Sequence, residues 1–215
     1  MGPNFYYDQM DWLSEFQKNK KWTWTILRPQ LVCGVAAGSP LNIIAAIGAF
    51  AAISREVGIP LRFPGGAERI GEATDARLIA RAVEWAGNSE IASNQIYNIT
   101  NGDVYIWHYV WPRVAELFDM EYGSPQPMSL AKLMPENAEV WSRIIEKHSL
   151  KNYSLAELIP SWRFADYIFG YGQRPNPHHM SNIKIRKHGF SDCIDTEQMV
   201  LELLQEMQSL RIIPR

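Results

Sequence analysis

An α/β fold with a largely parallel sheet is predicted by the order in which helix-like and strand-like segments alternate. Between residues 8 and 118 the chain reads helix, strand, helix, strand, helix, strand, helix, the pattern of strands joined by crossover helices. Composition agrees. The 215 residues are 47% hydrophobic and 20% charged, enough apolar side chain for a core without disulfide staples. The pattern changes after Gly123, where Pro125, Pro127 and Pro135 interrupt the chain and helical segments take over. The length suggests one domain, or two small ones.

The elements follow in chain order. Residues 8–20 put Met10, Leu13, Phe16 and Gln17 on one helical face and Asp11, Glu15 and Lys18 on another. Residues 22–27 are aromatic and β-branched and stop at Arg28-Pro29, so they read as a strand, which residues 31–34 extend. Ser39 is expected as an N-cap, with Pro40 at the first helical position of a helix running to about Arg55. That helix is apolar nearly all round and should be buried. Residues 58–66 form a short strand between turns. Thr74 is expected to cap a helix over residues 75–86, with Asp75 in its positive first turn. Residues 95–99 read as a strand, Asn101-Gly102 turns it, and Asp103 is expected to cap a helix ending near Phe118. Further helices are expected over residues 136–147, 155–169 and 195–209, with a loop at residues 173–179. The second half reads as a helical cap on the sheet.

Several function classes are excluded. A net charge of −2 gives no general attraction to nucleic acid or to an anionic membrane. The short basic stretch at residues 184–188 does not change that. Cys33 and Cys193 are too few for a disulfide framework, no Cys/His spacing fits a zinc site, and Cys33 in its apolar run reads as a buried structural thiol. His178 and His179 are adjacent, so their side chains diverge, and they read as a solvated loop. Residues 31–53 carry no charge, but Gly34, Gly38, Ser39, Pro40 and Asn42 break the stretch, which reads as strand, loop and buried helix rather than a membrane span. No signal or transit segment fits residues 1–8, so a cytoplasmic setting is expected.

The glycines of residues 34–38 follow a strand, but their spacing fits neither a dinucleotide fingerprint nor a P-loop. Their position says more. A helix beginning at Ser39, Pro40 and Leu41 just after a strand would offer free N–H groups to an anion such as a pyrophosphate. An ordinary strand-to-helix turn is the plainer reading of the same residues. Tyr6, in Asn4-Phe5-Tyr6-Tyr7, can donate a proton to a developing oxyanion where a nearby cation activates it. Aromatics at a helix start also serve as core or rim. Asp75 and Asp103 are expected to be caps and not an acid/base pair.

Taken together, several stretches resemble the progesterone 5β-reductase and iridoid synthase-like family of atypical extended short-chain dehydrogenases/reductases. They are Asn4-Phe5-Tyr6-Tyr7, residues 24–34 with Arg28-Pro29, residues 42–53, residues 61–65, Asp75 with Leu78-Ile79-Ala80, Trp85-Ala86, residues 101–105 with Trp107, and His188-Gly189-Phe190. The resemblance is specific from residue 4 to about 118 and looser beyond. It implies the C-terminal part of a Rossmann-type doubly wound parallel sheet with a helical substrate-binding cap. Residues 1–120 would belong to the NAD(P)-binding domain and residues 121–215 to the cap.

The resemblance also implies Tyr6 as the catalytic residue and Tyr6, Val32, Ser39, Pro40 and Leu41 as NADPH-binding residues. The implied reaction is hydride transfer to the β-carbon of an enone, or to a related activated carbonyl, of a small apolar carbonyl-containing metabolite. Tyr6 would stabilise the enolate. A homodimer is admitted as an assembly state. The family's glycine-rich loop, cofactor-selecting arginine region and catalytic lysine lie upstream of the tyrosine motif, and here five residues precede Tyr6. Met10 replaces the family's usual acidic residue, and Leu31 stands where some members have asparagine. The expectation is therefore a truncated reductase with weak or no activity on its own. The alternatives are a non-catalytic binding or regulatory remnant, and an isomerase or accessory protein of a biosynthetic pathway.

Overall fold

The computed structural model of the chain describes residues 4–66, 68–173 and 179–215. Helix α1 (Phe5–Gln17) begins three residues before the apolar spacing suggests, because the Asn4 side chain accepts the Tyr6 backbone N–H at 3.0 Å and caps it. None of its residues is buried. Strands β1 (Thr25–Pro29) and β2 (Leu31–Cys33) are separate, not one extended strand. They hydrogen-bond to different neighbours on either side of Gln30, and Pro29 has no N–H with which to continue the first ladder.

Helix α2 (Ile43–Glu56) corrects the expected start at Ser39 and Pro40. Asn42 is the N-cap, and its Oδ1 accepts the N–H groups of Ile44 and Ala45 at 3.0 and 3.3 Å. Its Nδ2 donates to the carbonyls of Ala36 and Gly34 at 2.7 and 3.3 Å. One amide thus ties the turn to the helix, which a serine hydroxyl at position 39 cannot do. The apolar character was read correctly: residues 43–54 are all buried. At 14 residues α2 is short, and no helix among the described residues is long and apolar enough to cross a membrane.

β3 (Leu61–Arg62), β4 (Ile70–Gly71) and β5 (Ala73–Asp75) lead into α3 (Ala76–Asn88). The cap of α3 is Asp75, not Thr74. Thr74 is a fully buried strand residue whose hydroxyl donates to the Ile99 carbonyl at 3.0 Å. The Asp75 carboxylate accepts the Arg77 N–H at 2.7 Å and also pairs with the Arg77 guanidinium. A 3-10 turn (Glu90–Ala92) precedes β6 (Gln95–Ile99), which has the predicted bounds. β7 (Tyr105–Ile106), α4 (Trp107–Leu117) and β8 (Tyr122–Gly123) follow. Asp103 does not cap α4, which starts later and has no side-chain cap.

The remaining elements are helical: α5 (Leu130–Leu133), a 3-10 turn (Met134–Asn137), α6 (Ala138–His148), α7 (Leu155–Leu158), α8 (Trp162–Phe169), α9 (Ile183–Lys187) and α10 (Thr196–Ser209). Residues 155–169 form two helices because Pro160 cannot donate the bond that would continue the first. Asp103 has its cap role here, accepting the Thr196 N–H and hydroxyl at 2.8 and 2.6 Å at the start of α10.

Among the described residues the strands form four pairs. β1–β6, β2–β5 and β3–β8 are parallel, and β4–β7 is antiparallel. The main core runs from Cys33 to Ile213 and centres on α2. Phe63, Trp107, Trp111 and Phe169 meet edge-on there, with centroids 5.1 to 5.9 Å apart. A smaller core joins α3 and β6 to Ile185 and Phe190.

Candidate active site

A cavity of about 750 Å³ lies between α1 and the β1–β2 segment. Tyr6, Tyr7, Met10 and Leu13 line it from the helix, consecutive residues 26–32 from the strands, Leu41 from the turn before α2, and Phe164 from α8. Three of the five residues singled out in the sequence, Tyr6, Val32 and Leu41, therefore meet at one cavity. Ser39 and Pro40 are neighbours of Leu41 in the chain but do not line it. Tyr6 is 62% exposed, and Phe5 lies against its ring with centroids 4.1 Å apart.

The helix terminus proposed as an anion site is already satisfied. Asn42 occupies the N–H groups of Ile44 and Ala45, so α2 does not present them to a phosphate. The cavity walls are instead mostly apolar, with Arg28 and Gln30 as polar exceptions among the strand residues.

Arg28 and Phe164 are among the lining residues that were not singled out from the sequence. Arg28 was read only as part of a strand-stop signal, yet its guanidinium donates to the Met10 Sδ at 2.8 Å. Among the described residues this is the one side-chain hydrogen bond from α1 to the sheet. A thioether is a weak acceptor for a charged donor. Met10→Glu, which restores the acidic residue found in the resembling family, is expected to stabilise the docking of α1 by roughly 0.5–1 kcal/mol. Hydrogen exchange of the α1 amides should slow, and added salt should reduce the gain. Unchanged exchange would count against this account of Arg28. Phe164 gave no local signal, because it reaches the cavity from a helix more than a hundred residues away.

A second cavity of about 240 Å³ shares Gln30, Leu31 and Phe164 with the first and is otherwise lined by residues that include Arg69, Tyr105, Trp107 and Tyr167. Arg69 donates to the carbonyls of Tyr167 and Ile168, holding the end of α8 against the loop before β4. Burial pushes the Tyr105 hydroxyl well above the ordinary phenol range, with Cys33 adding to the effect. Burial, reinforced by Asp75, pushes the Cys33 thiol up to about 12. Cys33 thus stays a neutral packing group and not a nucleophile. Among the described residues no group of three or more His, Cys, Asp or Glu side chains could hold a metal ion. His179 lies 3.6 Å from Glu72; His178 and most of the predicted loop at residues 173–179 lie outside the described residues.

A family model described as a PRISE-like Rossmann-fold domain matches residues 2–191. The chain belongs to this family. Other members and neighbours set the scale of the PRISE-like match. (S)-8-oxocitronellyl enol synthase CYC2 of Camptotheca acuminata is 32% identical over 99% of this chain and 55% of its own length. (S)-8-oxocitronellyl enol synthase ISY2 of Nepeta cataria is 33% identical over 98% of this chain and 54% of its own. The chain thus spans about half the length of these curated relatives. Among solved structures, the UDP-glucose 4-epimerase of Thermotoga maritima with UDP-glucose matches at TM-score 0.54 and 12% identity, over 94% of this chain and 52% of its own. RMD from Pseudomonas aeruginosa complexed with NADPH also matches at TM-score 0.54 and 12% identity, over 93% of this chain and 51% of its own. These likenesses establish a Rossmann-type fold for the PRISE-like chain.

Proposed function

We propose that the chain is the substrate-facing part of a cytoplasmic, NADPH-dependent reductase of secondary metabolism, acting on the C=C bond of an enone or on a related carbonyl group. Its substrate is a small apolar metabolite of the kind an (S)-8-oxocitronellyl enol synthase would handle. The observation that carries this reading is the convergence of Tyr6, Val32 and Leu41, from three separate stretches, on one mostly apolar cavity. Val32 and Leu41, 43% and 60% exposed, offer flat apolar surface suited to the nicotinamide end of the cofactor, with Ser39 and Pro40 alongside. With the α2 terminus closed by Asn42, the pyrophosphate and adenosine do not fit these residues and would be held by other parts of a Rossmann domain.

When bound, NADPH supplies a hydride to the β-carbon. Tyr6 donates a hydrogen bond to the carbonyl oxygen, where negative charge grows as the hydride arrives, and then its proton. The apolar walls exclude water and strengthen that bond. Residues 121–215, with Phe164 and Tyr167, would shape the substrate end.

The chain alone is expected to oxidise NADPH slowly with an α,β-unsaturated aldehyde. Tyr6→Phe, which removes the donor but keeps the ring, should lower whatever rate is seen by about 100-fold. NADPH absorbance and product analysis decide the matter. A product formed equally without NADPH would point to an isomerase, and an unchanged rate in Tyr6→Phe would remove Tyr6 from the chemistry. A second reading, a binding protein without catalysis, draws support from the exposure of Tyr6 on a helix that buries nothing. Substrate binding with no turnover under any condition would favour it.

A further inference from the structure

A cavity of about 300 Å³ lies at the C-terminal end of α2 and shares no lining residue with either cavity of the candidate active site. The last turns of α2 form one wall with Phe50, Ile53 and Ser54, and Met128, Leu133 and Met134 form another. Its volume holds about ten water-sized groups. The walls are mostly apolar, and two polar features interrupt them.

The first is Ser54, which is 2% exposed and lines the cavity. A serine inside a helix commonly donates its hydroxyl to the carbonyl four residues earlier, as Ser142 does to Ala138 at 3.1 Å. The Ser54 hydroxyl makes no such bond, and no other described residue gives it a partner, so it is a buried polar group turned to the cavity. Leaving it so costs free energy that a polar group of a ligand would recover. The second is Arg62, half-buried and the one charged side chain among the lining residues. Its Nη1 donates to the Ser124 carbonyl at 3.0 Å. The other guanidinium N–H groups have no acceptor and no carboxylate partner among the described residues. The Ile59 N–H donates to the Ser54 carbonyl at 3.0 Å, which ties the segment carrying Arg62 to the turn of α2 carrying Ser54.

We propose that this cavity binds a small apolar monocarboxylic acid, with the carboxylate on the Arg62 guanidinium, the Ser54 hydroxyl donating to the same head group, and the hydrocarbon chain against Phe50, Ile53 and the two methionines. An unpaired guanidinium beside an apolar cavity selects a planar anion attached to an apolar body. A neutral molecule of the same shape would leave Arg62 without a counter-charge. The site is separate from the proposed reaction and does not depend on it.

The test is a titration of the 215-residue chain, labelled with methyl-¹³C methionine, with octanoate, whose size suits the cavity. The methyl resonances of Met128 and Met134 are expected to move together, with a dissociation constant of about a millimolar or below. Met10, which lines the large cavity, should stay where it is. Arg62→Gln is expected to weaken octanoate binding by about tenfold or more, and 1-octanol should bind the parent as weakly as octanoate binds that variant. Ser54→Ala should also weaken octanoate. The thermal melt of the Ser54→Ala chain alone should be no lower than that of the parent, since the hydroxyl has no partner to lose and alanine is the better helix former. No movement of Met128 or Met134 at 10-fold the expected constant, about 10 mM, would overturn the proposal. So would movement of Met10 in their place, equal affinity for 1-octanol, or unchanged octanoate binding in Arg62→Gln. A lowered melt in Ser54→Ala would show that the hydroxyl serves the fold and would remove it from the site. No NADPH is present, so none of these outcomes bears on the proposed reaction.

Discussion

Trp111→Ala is expected to destabilise the chain by about 3–5 kcal/mol, enough to leave a large unfolded fraction in a marginally stable domain. Trp111 is fully buried at the crossing of α2, α4 and α8, with Phe63 at 5.2 Å, Phe169 at 5.1 Å, Trp107 at 5.9 Å and Phe50 at 6.5 Å between ring centroids. Truncation removes edge-on contacts with Phe63, Trp107 and Phe169 and a tilted contact with Phe50 at once. Rigid helix backbones on three sides limit how far the hole can collapse. Trp111→Phe separates packing from polarity. The indole Nε1–H is buried and finds no hydrogen-bond partner among the described residues, so losing it removes a desolvation cost while most of the ring volume stays. That variant should cost about 1 kcal/mol or less. Chemical denaturation midpoints read both, and a Trp111→Phe loss as large as that of Trp111→Ala would show that the indole N–H is satisfied in solution.

The same cluster shows how far the sequence alone could lead. Elements set by local signals were legible: β6 came out with its predicted bounds, α10 spans Thr196–Ser209 against an expected 195–209, and α2 is as buried as its unbroken apolar run implied. The errors fall where the actual hydrogen-bond partner, near or distant, decides between residues that are equally good caps by type. Ser39 and Pro40 form a good local start signal, but Asn42 reaches back to two carbonyls of the preceding turn and forward to two helix N–H groups. Asp103 has a suitable position for capping the next helix, yet its partner Thr196 lies 93 residues away. The site divides in the same way. Tyr6 and Leu41 belong to stretches recognisable by their residues, whereas Phe164 has no signature, and the role of Arg28 depends on which side chain of α1 faces it. That pairing is visible only once α1 lies across β1.

Asn101→Ala is expected to cost about 3 kcal/mol, more than a surface turn residue usually would. Asn101 is fully buried in the turn after β6. Its Oδ1 accepts the Asp75 N–H at 2.7 Å, and its Nδ2 donates to the Thr196 Oγ1 at 3.0 Å and to the Met199 Sδ at 3.3 Å. Its own N–H donates to the Ala73 carbonyl at 2.8 Å, and its carbonyl accepts the Ile194 N–H at 2.9 Å. One residue thus joins β5, the cap of α3 and the start of α10. Thr196 is held in turn by Asp103. Removing the amide leaves the buried Asp75 N–H without an acceptor and takes a donor from Thr196, and buried groups left unpaired carry most of the cost. Asn101→Asp discriminates further, because it keeps the acceptor for Asp75 but exchanges the donor for a buried negative charge near the Asp75 and Asp103 carboxylates. It should be at least as damaging as Asn101→Ala at neutral pH and recover part of its stability as pH falls and the new carboxyl is protonated. Denaturation midpoints of the two variants across pH test this. A pH-independent difference between them would mean that Asn101 acts through shape and not through its place in the buried network.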